Sequence, residues 1–140
     1  MNNKYSDLAL VARLMEEKAE ADCRAVQAQG DRLRAETVKA SDAFREGMNI
    51  DWDDAAMQLS GMNETWLAWL AERQKSLNIA LAKNRALEAH RTDQLRIRFS
   101  NRLAAEALVE METLALKSEA KKKAQRKMAS VILMAEAKNR

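Results

Sequence analysis

No proline occurs anywhere in this chain, and glycine stands only at positions 30, 47 and 61. Those two residues are the ones that most readily stop a helix. The run from Trp66 to Leu114 contains neither, and is rich in Ala, Leu, Arg and Glu, all strong helix formers. It therefore predicts one uninterrupted helix, about 70 Å long at 1.5 Å per residue. A helix of that length must cover its apolar stripe with another long helix. The expected fold is all-α: a long antiparallel two-helix coiled-coil hairpin with an extended basic C-terminal helix. A three-helix bundle is the alternative.

Residues 1–140 are expected to form a single coiled-coil domain. Helix one spans about 6–46, a connection spans 47–62, and helix two spans about 63–138. The first stripe runs Leu8, Ala12, Met15, Ala19, Cys23, Val26, Gly30, Leu33, Thr37, Ala40, Phe44. Two consecutive steps of four, Met15 to Ala19 to Cys23, predict a stutter that locally unwinds a supercoil. Gly30 falls on this stripe, where close approach of a partner helix competes with a merely tolerated weak spot. Cys23 lies there too, as a small buried hydrophobe. Gly47 is expected to end the helix in a left-handed conformation, and Asp51 to cap a short helix reaching Leu59.

From the connection into the second helix, leucine recurs at 59, 70, 81, 103 and 114, with Thr92 in the gap. That step of eleven predicts a nearly straight or slightly right-handed rod. A strict heptad through 70, 77, 84, 91 and 98 reads Leu, Leu, Asn, Arg, Arg and fits less well. Trp66 and Trp69, with Trp52 near the bend, form a knob of indoles that either packs the hairpin end or recognises a partner.

Charge is unevenly distributed. Residues 1–50 carry eight Lys/Arg and nine Asp/Glu, residues 51–90 four and six, and residues 91–140 twelve and six. Arg91, Arg96, Arg98 and Arg102 give the second helix a basic face, expected to be solvated, with Glu106 and Glu110 nearby as ion-pair partners. Lys117, Lys121, Lys122, Lys123, Arg126 and Lys127 precede the apolar run Met128–Ala135. In that run Met128, Val131, Ile132 and Ala135 share one helical face. It is expected to dock on Leu8–Met15, on another protein, or on a membrane surface.

The lone Cys23 excludes an internal disulfide, and a single His90 supplies no metal-ligand set. No nucleophile–base pair or phosphate-cradling loop is present, so no enzyme activity and no cofactor are expected. The N-terminal apolar run is too short for a signal peptide, and no window approaches a membrane span. Interleaved aromatics are missing from the basic tail, which disfavours specific nucleic-acid recognition.

The run WLAWLAERQKSLNIALAKNRALEAHRTDQLRIRFSNRLAAEALVEM resembles the second helix of the FliJ/YscO family, small proteins of flagellar and injectisome type III secretion. The likeness lies in size, the near absence of proline, the aromatic opening of the long helix, and the L-x3-L-x3-R rhythm at Leu77, Leu81 and Arg85. The tail KKKAQRKMASVILM is more apolar than the family's usual alternation of Glu and Arg. The resemblance implies an antiparallel coiled-coil stalk or adaptor, monomeric or weakly dimeric. It also implies a cytoplasmic place, peripheral at the inner-membrane secretion apparatus. The implied partners are a hexameric export ATPase, the export gate and escort chaperones. Candidate contact residues are Trp66 and Trp69, the arginines Arg91, Arg96, Arg98 and Arg102, and the basic tail Lys121, Lys122, Lys123, Arg126 and Lys127. A structural homodimeric coiled coil, and a basic tail that binds nucleic acid or anionic surfaces, are the competing readings.

Overall fold

The computed structural model describes residues 3–49 and 61–139. The protein is all-α. Helix α1 spans Ser6–Asn49 and helix α2 spans Met62–Lys138, and no strand occurs among the described residues. Because α2 runs unbroken to Lys138, its C-terminal part does not turn back as a third helix. The short helix expected from Asp51, and Trp52, lie outside the described residues. Contacts divide the chain into two compact units, Lys18–Leu95 and the pair of segments Met1–Glu17 and Arg96–Arg140.

In the unit of residues 18–95, α1 and α2 pack antiparallel. Cys23 meets Arg91, Asn84 meets Val26, and Arg73 meets Glu36. Buried and half-buried residues on α1 include 19, 23, 26, 30, 33, 37, 40, 44 and 47, with 20, 22, 41 and 43 half-buried beside them. Those on α2 include 63, 67, 70, 74, 77, 81, 84, 88, 91 and 95. These two series alternate steps of three and four without a break, which is a heptad seam, and the other half-buried residues flank it. Two helices that touch over many turns must keep the same side toward each other, and the 3.5-residue spacing does this.

Thus the heptad through Leu70, Leu77, Asn84 and Arg91 is the one used. Asn84 enters the seam because Gly30 faces it: a Cβ at Gly30 would stand 2.7 Å from Asn84 Oδ1. The Asn84 amide donates to the Val26 carbonyl at 3.2 Å. Gly30 is therefore a point of close helix approach. Cys23 is buried as expected, and its thiol donates to the Arg91 carbonyl at 3.2 Å.

Gly47 does not end α1. It sits inside the helix, buried, with the six-membered ring of Trp66 pressed where a Cβ would be. The left-handed glycine is instead Gly61, at φ 64°. Its carbonyl accepts the Thr65 amide at 3.2 Å and the Thr65 hydroxyl at 3.1 Å, which opens α2.

In the other unit, α1 and α2 again run antiparallel, with Asn3 on Val109 and Glu16 on Arg102. Seam positions here are Tyr5, just before α1, and 9, 12 and 16 on α1, facing 98, 102, 105, 109, 112 and 116 on α2. The expected stutter at Met15 is absent. Glu16 is buried at 8% exposure and Met15 is 40% exposed, so an ionised side chain holds the heptad position. The eleven-residue leucine pattern also gives way, since Leu103 and Leu114 are exposed.

Candidate interaction surface

The unit formed by residues 3–17 and 96–139 has two unlike flanks. Side chains that follow a seam alanine, Arg13 after Ala12 and Glu106 after Ala105, meet on one flank at 3.3 Å. Arg102 joins them, 2.9 Å from Glu106 and hydrogen-bonded to Glu16, with its guanidinium over the Phe99 ring. Arg13, and after it Arg102, hold the Glu106 carboxyl below the usual carboxylate range. The Arg102 guanidinium is pushed above its ordinary value, first by Glu16 and then by Glu106. Lys4 adds a contact with Glu112 at 3.7 Å.

The opposite flank is apolar. Here stand the side chains that precede a seam residue: Leu8 and Met15 on α1, Asn101 and Leu108 on α2. Between them Ala12, Ala104 and Ala105 are too small to fill the space, which leaves an open groove of about 290 Å³. Leu8, Val11 and Met15 form its α1 wall and are 49%, 51% and 40% exposed. Arg98 is the one charged side chain on the groove, and its guanidinium reaches the Met15 sulfur at 3.7 Å.

Beyond Leu116 the seam ends. Continuing its spacing lands on Glu119, Lys123, Arg126 and Ser130, none of which can bury an apolar contact. Every residue from 117 to 139 is exposed. Met128, Val131 and Ile132 are 69%, 60% and 53% exposed. This segment does not dock on Leu8–Met15 of its own chain.

The candidate contact residues are therefore not one site. Arg91, Arg98 and Arg102 are half-buried along the helix–helix seam rather than on a solvated face. Arg91 lies 3.8 Å from Asp22. Small residues on α1 leave room for these long side chains, and Asp22 and Glu16 supply the acceptors. Arg96 is exposed. Trp66 packs on Gly47, whereas Trp69 is 61% exposed. Lys121, Lys122, Lys123, Arg126 and Lys127 are exposed together. Val11 and Leu108, which line the groove, are not among the residues expected from the sequence, and Leu8, expected on the buried stripe, stands on the groove wall instead. The signal was there in LALVARLM, where apolar residues outnumber what one seam can cover.

Among the described residues no group of His, Cys, Asp and Glu could hold a metal ion, and no helix is long and apolar enough to cross a membrane. Comparison of the chain with protein-family models, with curated proteins and with solved structures finds no match.

Proposed function

We propose that the protein is a non-enzymatic helical adaptor that works by contact with other proteins. Its specific setting, on this reading, is a type III secretion or flagellar export apparatus, where it engages the export ATPase and the export gate or chaperones. The resemblance of residues 60–110 to the FliJ/YscO family supports the setting. The observation that carries the adaptor role is the groove between Leu8, Val11, Met15 and Leu108. A groove with an alanine floor and apolar walls suits a partner helix bearing apolar residues at i, i+3, i+4 and i+7.

The test is co-sedimentation of the full chain with a purified type III export ATPase, alongside the rate of ATP hydrolysis. The reading expects a complex and a raised hydrolysis rate. Filling the groove with Ala104→Arg should weaken the complex at least about tenfold, the scale of one buried interface contact, while helicity by circular dichroism stays unchanged. Failure of the chain to bind or stimulate any such ATPase would remove the secretion setting. Binding indifferent to Ala104→Arg would move the contact away from the groove.

A further inference from the structure

The segment 117–138 answers to none of the contacts described so far. It is the C-terminal part of α2, exposed at every residue. Its sequence places a basic half, residues 117–127, before an apolar turn, residues 128–135. Ala120, Ala124, Met128, Val131, Ile132 and Ala135 recur at helical spacing and make one apolar stripe. Lys122, Lys123 and Arg126 lie away from the stripe and Lys127 borders it, whereas Lys117 and Lys121 fall within its N-terminal half and the exposed Leu133 and Met134 lie outside it. Relative to the seam that ends at Leu116, the stripe is rotated to a different side of the helix, so it is not a continuation of the hairpin contact. Between Lys117 and Lys127 stand six basic residues and a single acidic one, Glu119.

We propose that residues 117–138 form a binding site for the surface of an anionic lipid bilayer, on which this helix lies flat. Three observations favour lipid over other occupants. A cluster of cations next to an exposed apolar turn matches an anionic headgroup layer above acyl chains. The long lysine stems of Lys117, Lys121 and Lys127, in and beside the stripe, can follow the surface while their ammonium groups stay in water. The apolar run Met128–Ala135 is also too short to span the hydrocarbon core, which needs roughly twenty residues. The helix therefore has depth for the interface and no more. Nucleic acid would use the cations and leave Met128, Val131 and Ile132 in water.

Vesicle flotation with the full chain tests this directly. Vesicles of phosphatidylcholine with about one-third phosphatidylglycerol should carry the protein, and pure phosphatidylcholine vesicles should not. Replacing Lys121, Lys122 and Lys123 together by Gln should reduce partitioning on the order of a hundredfold, at about fivefold per cation. The variant Met128→Ser, Val131→Ser, Ile132→Ser keeps every charge. It should also lose binding at least about tenfold, as expected for removal of several buried methylenes. Circular dichroism of each variant reports whether the helices persist.

Binding to anionic vesicles that needs both the cations and the apolar stripe establishes the proposal. No flotation with anionic vesicles at low salt overturns it. So does flotation that the triple-serine variant leaves unchanged, which would be charge adhesion alone. Tighter binding to double-stranded DNA than to vesicles, indifferent to the triple-serine change, overturns it in favour of nucleic acid. None of these outcomes depends on whether an export ATPase binds the chain.

Discussion

Glu16 occupies a position that helix geometry reserves for an apolar side chain, and it does so because Arg102 reaches it from the facing helix. Removing Arg102 would leave a buried carboxylate without its cation, which costs more than removing both. Arg102→Ala should therefore unfold at a lower temperature than the double variant Glu16→Ala, Arg102→Ala, as read by thermal circular dichroism. Glu106 adds a pH dependence. Its carboxyl is held below the usual range by Arg13 and Arg102, so its contribution is full above the ordinary carboxylate pKa. That contribution is lost as pH falls through the depressed value. Lowering the pH into the acid range should accordingly shrink the difference in unfolding midpoint between the native chain and Glu106→Gln. A difference that stays constant would separate Glu106 from its arginines.

Helix α1 contains a glycine that a propensity scale would replace. Gly47→Ala gains about 1 kcal/mol of helix propensity in isolation. In this fold the new methyl would enter the Trp66 ring, and forced overpacking costs about 1–3 kcal/mol. Chemical denaturation should show Gly47→Ala to be net destabilised. Pairing it with Trp66→Ala should remove the Gly47→Ala penalty. A stabilised single variant would mean that the ring moves aside freely. Existence of the two helices was legible from the missing prolines and the Ala, Leu, Arg and Glu content. Their register was only half legible. Ala19 to Phe44 follows the expected stripe, but leucine spacing misled on α2, where Leu103 and Leu114 face solvent while Asn84, Arg91 and Arg102 face α1. Hydrophobicity alone does not mark such positions, because what admits a polar side chain is the small residue or carboxylate opposite it on the other helix. That pairing is a tertiary fact. The groove was hidden for the same reason, since Ala12 and Ala105 define an empty space only when brought together.

Across the whole chain, apolar and charged material is shared unequally between the two units. Residues 18–95 bury leucines 70 and 77 to 3% exposure, and their described polar contacts are largely internal to the pair of helices. Val38, Met48, Trp69, Ile79 and Leu87 are exposed there, but the segments 3–17 and 96–139 leave more: Leu8, Leu10, Val11, Leu14, Met111, Leu114 and the Met128–Met134 run among them. Partner contacts are thus expected to concentrate in this second set of segments. Hydrogen exchange on the chain alone and with a bound partner should place added protection there before it reaches residues 18–95.

The buried thiol of Cys23 has a practical consequence. Its sulfur lies between the helices, hydrogen-bonded to the Arg91 carbonyl, and no second cysteine competes with it. A thiol reagent can reach it only when α1 and α2 part at that level, so the labelling rate counts separations of the pair as they occur. The chain carries its own clock for the opening of its helices.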